Sequence, residues 1–259
     1  MSSARAVSTK AHVLIRDSSF RIGIGRSIVP GPLPPEGHVS ELPPSLRIRA
    51  ENSISQLHAA VAEYGNVCYA NSLGLESMVL TDLIWEAVPQ IEIFSIDTGR
   101  LFPETYELIK RLQQRYGRSL KIYHPEPARV DDWVDKHGLN GFREGIEQRR
   151  GCCVARKVEP FRRAISGRGA WVTGIRRGQS ASRALAAPVE WDGEYGLHKI
   201  SPLLDWSDRE VWDYIRRKRL PYNTLHDVGF PSIGCSPCTR AVQPGEDPRA
   251  GRWWWERAD

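Results

Sequence analysis

VCYANSLGLESMVLTDLIWEAVPQIEIFSIDTGR, residues Val67 to Arg100, holds two short apolar runs that each end in small polar residues and glycine. Val67 to Ala70 fits a strand, Asn71 to Ser77 a turn and Met78 to Val88 a helix; Ile91 to Ile96 is a second strand that stops at Asp97-Thr98-Gly99. Upstream, Ile54, Leu57 and Val61 share one helical face that Gly65 closes. Downstream, Pro103 opens a helix through Tyr106, Ile109 and Leu112 to Gly117, and Leu120 to Tyr123 gives a third strand. Strand, helix, strand, helix, strand in this order predicts an α/β fold, with parallel strands and helices on the faces. Ligands bind such sheets beyond the carboxyl ends of the strands, so the turns after Ala70 and Ile96 are the first places to look. Trp171 to Ile175 resembles another strand, and Ser207 with Glu210 forms a capping box that opens a helix through Val211, Trp212 and Ile215.

The totals suit one globular domain with an attached arm: 259 residues, 41% hydrophobic and 26% charged. No run reaches the roughly eighteen apolar residues of a membrane helix, and the N-terminus lacks the apolar block of a secretory signal, so a cytoplasmic protein is expected. Residues 1–48, with six prolines between Pro30 and Pro44, show no sustained period and read as a flexible arm; residues 49–259 form the domain, irregular from about Pro231. Five cysteines, an odd number, point to a reducing compartment and to metal or redox roles rather than a disulfide scaffold. The formal charge is +5, yet Arg149 to Arg183 holds ten Lys and Arg against the single acid Glu159. Such a window implies an anionic partner, whether a phosphate-bearing small molecule, a nucleic acid, an acidic protein or an anionic metal cluster.

Three sets of residues could carry chemistry. In the first turn, a small polar residue, Gly74 and then Ser77 at a helix N-terminus could cradle a phosphate, although an ordinary strand-to-helix turn would look the same. In the second, Asp97, Thr98, Gly99 and Arg100 suit a nucleotide or could simply cap a turn. The cysteines speak most strongly. Cys152 and Cys153 are adjacent, while Cys235 and Cys238 form a CxxC; two pairs of thiolates can hold zinc or an iron–sulfur cluster. Adjacent cysteines suit separate irons better than one tetrahedral ion, which favours a [4Fe–4S] cluster, its negative charge offset by nearby arginines and Lys157. The plainer alternative is a pair of buried thiols and an isolated redox pair. Cys68, inside a strand, reads as core. The segments Thr173–Arg183 and Pro248–Trp255 add arginines suited to phosphate or sulfate, and three consecutive tryptophans that cannot all face one way.

Taken together, ANSLGLES, IDTGRLFPETY, GCCVARK, TGIRRGQSASR and GCSPCTR with GRWWWE resemble the assimilatory sulfonucleotide reductases of the iron–sulfur, adenylyl-sulfate (APS) type, from about Asn52 to Glu256. The resemblance implies an adenine-nucleotide α-hydrolase-like fold, related to the ATP pyrophosphatases. It also implies thioredoxin-dependent reduction of adenosine 5′-phosphosulfate to sulfite and AMP in sulfate assimilation, with thioredoxin or glutaredoxin as donor. Ser72, Gly74 and Ser77 would line the nucleotide site, with Thr98 and Arg100 nearby. Lys157 would lie between cluster and substrate, and Arg183, Arg249 and Arg252 would contact phosphate or sulfate. Cys152, Cys153, Cys235 and Cys238 would hold the cluster. Asn71 and Ser77 stand where many relatives have serine and aspartate. Paired cysteines favour APS over its 3′-phosphorylated form, PAPS.

Enzymes of this kind continue into a tail whose cysteine attacks the sulfur of APS; here the sequence stops at Asp259 and no cysteine follows Cys238. The nucleophile is therefore expected beyond Asp259, and residues 1–259 are expected to bind APS and the cluster without forming the covalent intermediate. A PAPS reductase and a non-catalytic APS-binding protein are the alternatives. A membrane or nucleic-acid partner is not expected, and a homo-oligomer is compatible with the sequence.

Overall fold

The computed structural model describes residues 41–180 and 183–257. Seven α-helices and six strands occupy them: α1 (Pro44–Tyr64), β1 (Val67–Ala70), α2 (Leu75–Ala87), β2 (Glu92–Ile96), α3 (Pro103–Tyr116), β3 (Lys121–Tyr123), α4 (Pro127–His137), α5 (Ile146–Cys153), α6 (Glu159–Ile165), β4 (Ala170–Val172), β5 (Val189–Asp192), β6 (Leu197–Ile200) and α7 (Asp208–Lys218). A π-helical turn, Val154–Val158, joins α5 to α6 without a break. The strands order β3-β2-β1-β4-β6-β5, parallel except for the antiparallel β5–β6 pair.

Strand pleating sorts β1 onto two faces. Val67 and Tyr69 point into the larger core with Leu57 of α1, Leu80 and Ile84 of α2 and Leu108 of α3. Cys68 and Ala70 point to the other face, with Phe94, Ala164 and Ile165. Gly65 and Gly117 adopt positive φ (68° and 61°) where α1 and α3 stop, the left-handed conformation that glycine enters at no steric cost. Ser207 and Glu210 form the expected reciprocal capping box on α7. Asp82 of α2, fully buried, accepts hydrogen bonds from Tyr116 (2.6 Å) and Tyr214 (2.8 Å), tying α2 to α3 and α7.

Three features depart from expectation. The chain is already helical at Pro44, so the arm drawn over 1–48 is too long at its end; residues 1–40 of it lie outside the described residues. Pro44 sits in the first helical turn, where its missing N–H costs nothing, and Leu46 and Ala50 are buried. The strand expected over Trp171–Ile175 ends at Val172. Helix α5 buries only Cys152, so its sequence shows little periodicity, and β5 alternates between exposed and half-buried positions at the sheet edge.

Strand β1 lies between β2 and β4, and the chain winds outward from it in both directions. The crevice at the carboxyl ends of β1 and β4 is thus a topological switch point, open for a ligand.

Candidate active site

The loop leaving β1 is built by its own side chains. Asn71, buried, donates to Thr81 Oγ1 (2.8 Å) and accepts the N–H of Leu73 (2.7 Å), which holds Leu73 at φ 61°. A non-glycine residue there costs about 1–2 kcal/mol, a strain the surrounding bonds must sustain. The Ser72 N–H donates to Ser77 Oγ (3.1 Å), and the two hydroxyls lie 3.0 Å apart. Gly74 caps α2 in extended conformation with no side chain bonded to the first turn, so the helix presents its N-terminus uncapped to the crevice. The carboxylate of Glu76, in that first turn, is held by Arg176 (2.7 Å). Arg176 is 4% exposed and also pairs with Asp208; burial alone would lower its pKa, but Glu76 and Asp208 outweigh it and raise it.

Four cations gather beyond this loop. Lys157 lies on the π turn; solvent reaches it, yet protein surrounds it closely, and that desolvation followed by Arg252 lowers its pKa. Arg183 is lowered by burial and then by Arg249. Arg252 is lowered likewise, against the pull of Cys235, Cys238 and Cys153. Among the described residues none of Lys157, Arg183, Arg249 and Arg252 has a carboxylate within ion-pairing distance. Glu76 pulls Arg183 back up in part, but no carboxylate pairs directly with these side chains, and cations packed this way suit an anion. Arg252 reaches this place because residue 234 is glycine: a Cβ there would stand 2.2 Å from its guanidinium.

The four expected cysteines meet on the adjoining side. Cys152 and Cys153 end α5; Cys235 and Cys238 flank a short turn anchored by Ser236 N–H to the Arg100 carbonyl (2.8 Å). Burial raises the pKa of Cys152, then Arg100 draws it down and Cys153 pushes it up. Cys153 is raised by burial and by Cys235; Cys238 is pushed up to about 12 by burial, then by Cys235, Cys153 and Cys152. Among the described residues no three His, Cys, Asp or Glu side chains are set to hold a single metal ion. Around the thiols, Trp133 and Phe142 pack with Cys152, and Trp255 and Cys238 close the cluster. The indole N–H groups of Trp133 and Trp255 are buried there with no partner among the described residues. The three tryptophans do face different ways. Trp253, at φ 48°, lies against Arg149 (4.4 Å) and Arg252 (5.1 Å), whereas Trp254 and Trp255 meet edge to face.

Ser72, Gly74 and Ser77 therefore line the loop, and Lys157, Arg183, Arg249 and Arg252 form the cationic set. Thr98 and Arg100 sit instead on the cysteine side. Thr98 Oγ1 is 3.1 Å from Cys235 Sγ, and Arg100 donates to the Leu139 carbonyl (2.7 Å) over the Phe142 ring. Glu76, Arg176 and Gln179 escaped sequence reasoning; nothing in TGIRRGQSASR tells a buried arginine from a ligand-facing one. A cavity of about 500 Å³ lies along β4 to β6 and includes Thr173 and Arg183 in its lining; its Glu190–Lys199 pair (2.8 Å) and Asp192 set it apart from the cationic crevice.

Residues 66–241 match the phosphoadenosine phosphosulfate reductase domain. The chain belongs to this reductase family. Adenosine 5′-phosphosulfate reductase of Allochromatium vinosum is 48% identical over 215 residues, 83% of this chain and 84% of the relative. The enzyme of the same name from Burkholderia cepacia is 47% identical over 218 residues, 84% and 87% of the two chains. In three dimensions the reductase fold matches phosphoadenylyl-sulfate (PAPS) reductase from Candida auris in its phosphate complex, with TM-score 0.63 and 28% identity, over 78% of this chain and 99% of that one. Candida glabrata FMN adenylyltransferase shares the fold alone, at TM-score 0.55 and 17% identity, over 82% and 73% of the two chains. The expected adenine-nucleotide α-hydrolase-like architecture is thus the observed one.

Proposed function

We propose that this reductase-family chain binds adenosine 5′-phosphosulfate and a [4Fe–4S] cluster, and serves the thioredoxin- or glutaredoxin-dependent reduction of that nucleotide to sulfite and AMP. One arrangement carries it: an uncapped helix N-terminus, four cations without a carboxylate in ion-pairing distance, and four cysteines whose charges couple with one another and, through Cys153 and Cys235, with Lys157 and Arg252. The residues fit a cluster, because Cys152, Cys153, Cys235 and Cys238 supply one thiolate per iron and the orphaned N–H groups of Trp133 and Trp255 can donate toward sulfur. When bound, the cluster would supply a fixed charge beside the substrate.

The chain's own residues would do the binding. Ser72, Gly74, Ser77 and the N-terminus of α2 face the nucleotide phosphate. Lys157, Arg183, Arg249 and Arg252 hold the phosphosulfate and stabilise the negative charge that collects on the AMP phosphate as the S–O bond breaks. In that step a thiolate attacks sulfur, AMP leaves with the electron pair, and a donor dithiol then releases sulfite by thiol exchange. Cys68 is a poor candidate for the thiolate: it is fully buried, and burial pushes its pKa up to about 12. The 48% and 47% identities to APS reductases, against 28% to a PAPS reductase, support APS as substrate. Calorimetric titration with each nucleotide tests the choice: APS is expected to bind the more tightly, and a preference for PAPS would overturn it.

A further inference from the structure

Gln179 ends a short 3-10 turn, Arg177–Gln179, that follows β4. Its carboxamide joins three groups. Nε2 donates to Glu76 Oε1 at 2.9 Å, and Oε1 accepts both the Arg176 N–H at 3.1 Å and the Arg183 guanidinium. The donor end must face the carboxylate and the acceptor end the guanidinium, so the amide's orientation is dictated by its neighbours. No other side chain of this length offers both: glutamate would oppose Glu76 charge to charge, and methionine would bond to neither. Glu76 itself is a carboxylate in the first turn of the helix that faces the anion. The buried Arg176 neutralises it through two bonds, Nε at 2.9 Å and Nη2 at 2.7 Å. Gln179 bonds to that same oxygen, so one carboxylate oxygen ties Arg176 and Gln179 together and, through Gln179, reaches Arg183.

We propose that Gln179 is a positioning residue, fixing the Arg183 guanidinium at the anion site by tying it to Glu76 on α2. The claim rests on the proposed assignment of Arg183 to phosphosulfate binding. Arg183 begins its own turn after Ser180, held by backbone bonds at 3.0 and 3.1 Å, and its head is free to rotate unless something outside the turn grips it. A tethered guanidinium meets its anion without first surrendering rotamer freedom, and that freedom is worth enough to be seen in affinity.

The experiment is a double-mutant cycle read by calorimetry, with APS and with uncharged adenosine as titrants, on wild type, Gln179→Met, Arg183→Ala and the double variant. Gln179→Met is expected to lower APS affinity about tenfold, leave adenosine affinity unchanged and add nothing on the Arg183→Ala background. An unchanged APS affinity, an equal loss for adenosine, or full additivity would overturn the tether. Should Gln179→Met fail to fold by thermal melting, Gln179→Leu serves in the same cycle with the same expectation, since it too removes both amide bonds and adds no charge beside the anion. If Arg183→Ala binds APS as wild type does, the anion-site assignment itself fails and takes the tether with it; a normal Arg183 effect with silent Gln179 variants sinks the tether alone.

Discussion

Cys152 and Lys157 lie five residues apart on one continuous helix, and the π turn between them sets what each faces. A π turn widens the helix and shifts the following residues around its axis, which turns the buried thiol and the ammonium toward different surroundings. On the proposed cluster, changing Cys152 to Ser removes one of its four thiolates; the purified variant is expected to carry less iron and less visible absorption than wild type, and iron retained at the wild-type level would contradict the cluster. Lys157→Ala removes one charge-assisted contact, worth about 1.5–3 kcal/mol, so APS affinity should fall by one to two orders of magnitude in calorimetry while the melting temperature holds. An unaltered affinity would remove Lys157 from the site. GCCVARK exposed both residues in the sequence because their types are rare in such company. Gln179 stayed hidden, since its role depends on two partners, Glu76 and Arg183, that only the fold brings to it.

At the scale of elements, the segment from Thr239 to Arg252 shows how irregular chain presents an arginine with accuracy. A single antiparallel bridge pairs Thr239 with Arg252, and Arg240 grips Glu246 through two bonds of 2.9 Å. Glu246 also accepts the Gln243 N–H at 2.6 Å. The Arg240 contact, then that backbone bond, lowers Glu246 from 4.5 to about 2. For a carboxylate depressed in the fold, the stabilisation is complete above the unfolded value and is lost as pH falls through the folded one. Between pH 4.5 and about 2 the clasp should therefore weaken progressively while staying closed at the upper end. The Gln243 amide shift, followed by NMR, should titrate near pH 2, and a midpoint near 4.5 would show that the clasp is absent in solution. Proline, glycine and arginine gave this segment no period to read, so its irregularity was legible and its internal order was not.

For the whole molecule, the site is assembled from places far apart in sequence: the turn after β1, the α5–α6 helix, the segment after β4 and the last described residues. Of the five cysteines, Cys68 is buried in β1, and the other four lie close enough to shift one another's pKa. Incubating residues 1–259 with APS is accordingly expected to leave every one of these cysteines free of a sulfo adduct, as judged by intact mass. A gain of one SO3 group would show that a thiol of the set attacks substrate.

The sequence by itself determined the central βαβαβ unit, because strands buried on both faces and helices with one apolar stripe leave periodic marks. It also determined the kinds of chemistry at hand, because paired cysteines and arginines without acids are seldom incidental. Tertiary structure alone decided which cations stand together, that Arg100 turns to the Leu139 carbonyl rather than to those cations' side of the crevice, and that Glu76 is neutralised by the buried Arg176. Those outcomes depend on distances of a few ångströms between residues about forty to a hundred positions apart, and no local pattern records them.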